Sequence, residues 1–208
     1  MITCKLYLIR QGNMSNLILA SGSSYKAALL QRLMLPFSIE HPEVEECAIG
    51  NELPRQTAER LAREKAYCIA EKHHGSIVIG ADQVADLNGY SINKPGTHDL
   101  AVQQLRRQSG NEVFFHSGLA IVRYTSTGDC EQFSCVNTTK VIFRQLSDDE
   151  IEGYLRTEEP YDCAGSFKAE GLGISLFTSI VSSDPSSLIG LPLIDLCSLL
   201  ANFKVKVN

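Results

Sequence analysis

Two long candidate strands constrain the fold of this chain more than any other feature. They cover residues 112–123 and 131–144, and a Thr-Gly-Asp turn at 127–129 joins them. A short apolar run at 17–20 and a β-branched run at 76–81 predict two further, buried strands. Long antiparallel strands mixed with helices indicate an α/β or α+β architecture, in which a ligand would lie in a cleft lined by loops.

The remaining segments predict helices and shorter strands around that sheet. Pro54 suits the first turn of a helix, and Ser147 and Glu150 form a capping box that opens another. Asn88-Gly89 predicts a hairpin turn. The predicted helices cover residues 24–35, 54–72, 99–107, 147–157 and 191–203, and the additional strands cover 37–41 and 171–180.

Length and composition limit the class of protein. With 208 residues, 44% of them hydrophobic and 21% charged, the chain suits one domain or two closely packed lobes. We predict a single domain over residues 14–208, with Met14 as the functional start and residues 1–13 as a dispensable extension. No apolar run approaches the roughly 20 residues that cross a bilayer, and the N-terminus lacks a secretory signal pattern. A cytoplasmic location without a membrane partner is therefore expected.

Charge and cysteine content exclude further classes. The formal net charge of −5 argues against nucleic-acid binding, although a few local lysines suffice for a small polyphosphate ligand. Seven cysteines without any C-x-x-C pair indicate reduced thiols that act as small core residues.

The segment Ser21-Gly-Ser-Ser-Tyr-Lys26 leads from a predicted strand into a predicted helix. Such a turn presents unpaired backbone N–H groups and the positive end of the helix dipole, to which serine hydroxyls and Lys26 add donors and charge. It is neither a P-loop nor a dinucleotide-binding fingerprint. Two interpretations stay open: an anion site, or a helix capped by Ser23 or Ser24 beside a surface lysine.

Carboxylates follow two of the predicted strands. Three of them lie within Pro42-Glu-Val-Glu-Glu46 and are candidate Mg²⁺ ligands, although a solvated acidic loop explains them as well. Asp82, followed by Gln83, ends an apolar strand, where α/β enzymes often place a catalytic or metal-binding group. Lys65 and Lys94, taken alone, are typical of surface lysines.

The glycine-rich segment Cys163-Ala-Gly-Ser-Phe-Lys-Ala-Glu-Gly-Leu-Gly173 indicates close backbone approach, as at a ligand wall. Within it, Glu170 is a candidate specificity carboxylate, and a surface turn is the alternative interpretation. The later segment 189–192 is expected to position the last helix and to take no part in chemistry.

Taken together, these segments resemble the Maf family of nucleoside triphosphate pyrophosphatases over nearly all of residues 16–205. The resemblance implies a Maf/Ham1 (ITPase-like) fold, α/β with a mixed sheet and flanking helices, in which two lobes surround a nucleotide cleft. The matching motifs, in order, are LILASGSSYK, PEVEE, REKA, GADQV, NKPG, CAGSFKAEGLG and GLPL.

The resemblance also implies a reaction, the hydrolysis of the α–β phosphoanhydride of a nucleoside triphosphate to a monophosphate and pyrophosphate. Asp82 would act as general base or hold a metal-bound water, and Glu46, with or without Glu45, would hold Mg²⁺ or Mn²⁺; Asp82 and Glu46 are thus the implied metal ligands. By the same resemblance, Lys26, Lys65 and Lys94 would clamp the triphosphate and stabilise the charge that develops during transfer, so Lys65 and Lys94 count as catalytic with Asp82 and Glu46. Ser21 and Ser23 would orient phosphate oxygens.

Three positions resemble the subgroup of the family that acts on 7-methyl-GTP: Tyr25, Gln83 and Glu170. Relatives that act on dTTP and UTP usually have Arg, Thr and Gln there. The subgroup pattern makes physical sense, because N7-methylation gives guanine a positive charge that an aromatic face attracts, by roughly 0.5–2 kcal/mol. Glu170 would accept hydrogen bonds from the guanine N1–H and amino groups, and Gln83 would bind base or sugar.

The chain departs from the family pattern at two positions. Lys26 stands where Arg is usual, which keeps the charge but loses the bidentate fork, and Tyr25 stands where Trp is most expected. The alternatives are a pyrophosphatase for UTP, dTTP or other modified nucleotides, or a non-catalytic nucleotide-binding regulator of cell division. A homodimer is a further expectation from the family.

Overall fold

The computed structural model describes residues 16–207, which form a seven-stranded sheet and five α-helices. The predicted extension at residues 1–13 lies outside the described residues. The strands are β1 (Leu17–Ala20), β2 (Ser38–Glu40), β3 (Ile77–Leu87), β4 (Tyr90–Ile92), β5 (Glu112–Tyr124), β6 (Cys130–Phe143) and β7 (Phe177–Val181). The helices are α1 (Ser24–Gln31), α2 (Pro54–Ala70), α3 (His98–Gln108), α4 (Asp148–Glu158) and α5 (Leu193–Asn202).

The sheet is mixed, which confirms the predicted architecture. Its strand order is β2-β1-β3-β5-β6-β7, with β1 parallel to both β2 and β3. The remaining pairs are antiparallel, and the β5–β6 hairpin that the sequence predicts is the longest of them. β4 folds back from the Asn88-Gly89 turn onto the end of β3. Both turn residues have positive φ, 56° and 85°, as a type I′ hairpin turn requires.

One segment of β3 lacks a neighbouring strand on one side. β5 pairs along residues 78–86, whereas the opposite edge is shared by β1, at residues 77–80, and β4, at residues 85–87. Residues 81–84 therefore face an opening between the end of β1 and the start of β4. A crevice where neighbouring strands diverge is a common ligand site in α/β proteins.

Helix α2 packs unusually close to the sheet because two glycines face it. A Cβ atom on Gly80 would lie 2.1 Å from the Ala62 carbonyl oxygen, and one on Gly118 would lie 2.1 Å from that of Ala58. The inner face of α2 predicted from its spacing is fully buried, as expected: Ala58, Leu61, Ala62, Ala66 and Ile69.

The opposite face of the sheet packs against α1 and α5, and the far end carries a second core with α3 and α4. In that second core Phe143, Phe167 and Phe177 meet edge to face, with ring centroids 4.8–5.8 Å apart. The clusters on the two faces of the sheet form one lobe and the far-end cluster forms the other, with the open segment of β3 between them. No helix within residues 16–207 has the length and apolar character needed to cross a membrane.

Three predicted boundaries were wrong by about four residues or more: the end of α1, the end of β3 and the start of β7. α1 ends at Gln31 instead of residue 35, because Met34 adopts a left-handed φ of 56° and Pro36 follows. β3 continues past residue 81 to Leu87, because β5 pairs with it along that length.

The predicted strand 171–180 is a strand only from Phe177. Its first half is a 3₁₀ turn, Leu172–Leu176, in which Gly173 lies so close to the Lys168 backbone that a Cβ would approach the carbonyl oxygen to 2.4 Å. The six described cysteines are unpaired, as predicted. Cys68 and Cys135 pack against the core, whereas Cys47 and Cys130 are exposed, so the predicted place in the core holds only for some of them.

Candidate active site

A cavity of about 920 Å³ opens at the unpaired segment of β3. All the site residues predicted from the sequence line it, although their sequence separation exceeds one hundred residues. They are Ser21, Ser23, Tyr25, Lys26, Glu46, Lys65, Asp82, Gln83, Lys94 and Glu170. Tyr25, Asp82 and Glu170 thus share one cavity, which the predicted pocket requires; the role of each residue stays a prediction.

The turn after β1 combines both interpretations left open by the sequence. Ser23 is the N-cap of α1, where its hydroxyl accepts the Lys26 backbone N–H at 3.4 Å, and the buried Ser21 hydroxyl accepts the Ser23 N–H at 3.1 Å. The turn is therefore a helix cap and also a wall of the cavity. It directs the positive end of the α1 dipole into the cavity.

Lys65 links the two carboxylates on which the predicted chemistry depends. Its ammonium group donates to Glu46 Oε1 and to Asp82 Oδ1, the latter at 2.6 Å. Lys65 and Asp82 are buried, whereas the side chain of Glu46 is 60% exposed. Because Gly80 and Gly118 bring α2 onto the sheet, Lys65 on α2 reaches Asp82 on β3.

The charges of this cluster shift the pKa values of its members. Burial opposes the charge on Lys65, but Asp82 and Glu46 outweigh it, so the Lys65 pKa is raised. Burial likewise opposes ionisation of Glu46, but the hydrogen bond and charge of Lys65 lower its pKa overall. Burial lowers the pKa of Lys26, and the nearby ammonium groups of Lys65 and Lys94 lower it further, against the attraction of Asp82 and Glu46.

We call the charged part of the cavity its lysine-rich end. It consists of Lys26, Lys65, Lys94, Glu46 and Asp82. Three ammonium groups face two carboxylates there, so the cluster carries an excess of positive charge that an anionic ligand would neutralise. Such a ligand would also stabilise the protonated form of Lys26.

The lysine-rich end has part of a metal site. Within residues 16–207, no group of three or more His, Cys, Asp or Glu side chains converges as a metal site would. Mg²⁺, however, is commonly held by one or two carboxylates together with substrate phosphates, and Glu46 and Asp82 fit that donor set. Both already bind one cation, the Lys65 ammonium group. Glu45, unlike Glu46, does not line the cavity, so its position does not support its implied role as a ligand, which stays a prediction.

A second group of lining residues surrounds Tyr25, and we call it the tyrosine end of the cavity. It consists of Tyr25, Asp162, Cys163 and Glu170. The Tyr25 hydroxyl donates to Asp162 Oδ2 at 3.5 Å. Burial raises the pKa of Tyr25, and the neighbouring Cys163, Asp162 and Glu170 raise it further, so the phenol is neutral at physiological pH. This end therefore offers an aromatic ring beside two carboxylates.

Gln83, next to Asp82 on β3, is held by a hydrogen-bond network that determines which group it can offer. Its two amide N–H groups donate to the carbonyl oxygens of Ser187 and Leu188, at 2.9 and 3.0 Å, and the amide nitrogen also lies 3.1 Å from the Ser117 hydroxyl, which itself donates to Ser187. Because carbonyl oxygens accept only, the amide orientation is settled. Gln83 can therefore meet a ligand only as a hydrogen-bond acceptor.

Several cavity residues were missed by sequence reasoning. Ile189 and Gly190 line the cavity, and the Lys26 Cε atom lies 3.5 Å from the place of a Cβ on Gly190. The first half of segment 189–192 thus forms part of the wall, and the expectation that the segment takes no part in chemistry stays a prediction. His41 packs on Gly22 in the turn after β1. Asp162 was also missed, and its only signal was its place immediately before the glycine-rich segment.

Known proteins resemble this chain in fold and in sequence. A Ham1 protein from Coxiella burnetii has a similar structure, with a TM-score of 0.50 and 17% identity over 91% of this chain and 100% of that chain. This likeness concerns the fold alone. The family described as "Maf-like protein" matches residues 16–203, and the chain belongs to this family.

Curated relatives cover most of the chain. A protein of Polaromonas sp. (strain JS666 / ATCC BAA-500) named "7-methyl-GTP pyrophosphatase" is 50% identical over 184 residues, 88% of this chain and 83% of the relative. A protein of the same name from Pseudomonas syringae pv. tomato is 50% identical over 194 residues, 93% of this chain and its own full length.

Proposed function

We propose that this protein is a nucleoside triphosphate pyrophosphatase that hydrolyses 7-methyl-GTP to 7-methyl-GMP and diphosphate and so removes a modified nucleotide from the pool. One observation carries the proposal: a single cavity holds a lysine–carboxylate cluster at one end and an aromatic ring with two carboxylates at the other. The curated relatives named above support both the reaction and the substrate.

The tyrosine end suits a cationic purine. The face of Tyr25 attracts a positively charged ring by stacking and cation–π contact. Within the described chain Glu170 makes no hydrogen bond, so both of its oxygens are available to the N1–H and amino groups of guanine. Gln83 adds an acceptor and rejects groups that cannot donate.

The lysine-rich end suits a triphosphate. Lys26 and Lys94 are placed to bind phosphate oxygens beside the N-terminus of α1, and the hydroxyls of Ser21 and Ser23 retain their O–H donors. Lys65 stabilises negative charge that develops on the phosphates during hydrolysis. The net charge of −5 agrees with a small nucleotide, rather than a nucleic acid, as the partner.

Asp82 is the proposed general base. It is buried and reaches the cavity from the open segment of β3, and its second oxygen is not engaged by Lys65. It would take a proton from the attacking water as the anhydride bond breaks, and diphosphate would leave bound to the lysines. Glu46 and Asp82 would hold Mg²⁺ or Mn²⁺. When bound, the metal ion would offset the negative charge of the phosphates.

The test is diphosphate release with Mg²⁺ or Mn²⁺ across 7-methyl-GTP, GTP, UTP, dTTP and CTP. We expect the highest kcat/KM with 7-methyl-GTP. A preference for UTP or dTTP would contradict the proposed substrate but would still support the proposed pyrophosphatase reaction. Nucleotide binding without release from any substrate would instead support a regulator.

A further inference from the structure

Asp162 lies in the wall of the tyrosine end, immediately before the 3₁₀ turn Ala164–Ser166. Both of its oxygens have hydrogen-bond partners. Oδ2 accepts from the Tyr25 hydroxyl at 3.5 Å, and Oδ1 accepts from the Cys163 thiol at 3.5 Å. Burial and the charge of Asp162 raise the Cys163 pKa to about 12, so the thiol keeps the proton that it donates.

Glu170 differs from Asp162 in the same end of the cavity. Among residues 16–207 no partner donates a hydrogen bond to Glu170, and neither carboxylate forms an ion pair with a lysine or arginine. Lys168, which also lines the cavity, donates from its ammonium group to the Glu158 carbonyl oxygen at 3.1 Å. The tyrosine end thus holds two carboxylates without a salt-bridge partner: the oxygens of Glu170 accept no hydrogen bond within the described chain, and each oxygen of Asp162 accepts one.

The two carboxylates are therefore suited to different features of a base. Glu170 can accept hydrogen bonds from the N1–H and amino groups, which GTP and 7-methyl-GTP both present. Asp162 already accepts one hydrogen bond on each oxygen, from Tyr25 and from Cys163, so what it adds beside Glu170 is chiefly its negative charge. Because it binds the hydroxyl at the edge of the Tyr25 ring, a base stacked on that ring lies close to this charge.

We propose that Asp162 is a further specificity-determining residue, which recognises the positive charge of the N7-methylated base while Glu170 recognises its hydrogen-bonding edge. This inference rests on the proposed function, because it concerns the substrate of that site. It assigns the discrimination between a cationic and a neutral guanine to a residue outside the three positions that the family resemblance indicates.

The experiment compares kcat/KM for 7-methyl-GTP and for GTP in D162N. Asparagine keeps the size of the side chain and an oxygen that accepts from Tyr25, but it removes the charge. We expect the 7-methyl-GTP to GTP ratio to fall about fivefold, which corresponds to about 1 kcal/mol for one partly exposed charge. D162E, which restores the charge, should recover most of the ratio, and the loss should shrink at high ionic strength.

D99N is the matched control, because Asp99 is an exposed carboxylate in the first turn of α3 that does not line the cavity. It should leave the ratio unchanged. An equal loss with both nucleotides in D162N would mean that Asp162 only orients Tyr25 and would overturn the inference, as would an unchanged ratio.

The proposed function can fail separately. If the wild-type protein releases no diphosphate from 7-methyl-GTP, the proposed function is wrong, and the same comparison is made on the dissociation constants of 7-methyl-GTP and GTP by calorimetry. A ratio of dissociation constants that D162N leaves unchanged would then overturn the inference on its own.

Discussion

The two ends of the cavity are built in different ways. At the lysine-rich end, the buried Lys65 and Asp82 belong to α2 and β3, and they neutralise each other before any ligand arrives. At the tyrosine end, Asp162 and Glu170 lie on loops, and their charges have no salt-bridge partner in the described chain. A site on packed helices and strands holds its geometry, whereas loops vary at little cost to the core. The comparison suggests that the first end carries the reaction and the second selects the base.

The largest expected effect comes from replacing Asp82, the proposed general base of the lysine-rich end. D82N should lower kcat by about 10²–10⁴-fold, because the general base is lost, while nucleotide still binds. Diphosphate release measures kcat, and calorimetry measures binding. E45Q, which alters an exposed carboxylate in the acidic loop 42–46 that does not line the cavity, should keep full activity. A D82N protein with near-normal kcat would remove Asp82 from the mechanism.

A second prediction concerns the packing that places Lys65. In G80A the added Cβ would overlap the Ala62 carbonyl oxygen, so the free energy of unfolding should fall by about 2 kcal/mol or more, and kcat should fall as α2 moves away from Asp82. Urea denaturation measures the first effect. G153A is the matched control, since a Cβ there meets nothing within 4 Å on the exposed side of α4. It should stabilise the protein by about 0.5–1 kcal/mol.

The lowered pKa of Lys26 predicts a pH dependence of binding. Below that pKa Lys26 is charged and binds phosphate, and the charge is lost as the pH rises through it. The KM for nucleotide should therefore rise at alkaline pH, by about tenfold once the charge-assisted hydrogen bond is gone. Arginine stays protonated, so K26R should move the rise to higher pH. The same profile in both proteins would exclude Lys26 as its origin.

A final effect, similar in size to that of Lys26, comes from E170Q and tests the tyrosine end. It keeps the shape of the side chain but replaces one acceptor with a donor, so kcat/KM for 7-methyl-GTP should fall by about tenfold and that for UTP by less. Measuring both nucleotides with the same preparation gives the comparison. Equal losses would show that Glu170 supports the fold of its loop and does not select the base.

The sequence by itself determined most of the elements and the membership of the site. Periodicity predicted the buried face of α2, and residue chemistry predicted the Asn88-Gly89 turn, because both depend on neighbours within a few positions. The ordered motifs also predicted ten residues that line the cavity. Their roles at the site are still predictions.

Only the tertiary structure decided how those residues meet. Tyr25 and Asp162 are 137 positions apart, and no local pattern indicates their contact. β3 extends through Asp82 because β5 pairs with it, and Lys65 reaches Asp82 because two glycines admit α2. The orientation of the Gln83 amide likewise depends on carbonyl groups more than one hundred positions away. Such contacts follow from the packing of distant segments, which side-chain patterns along one segment do not specify.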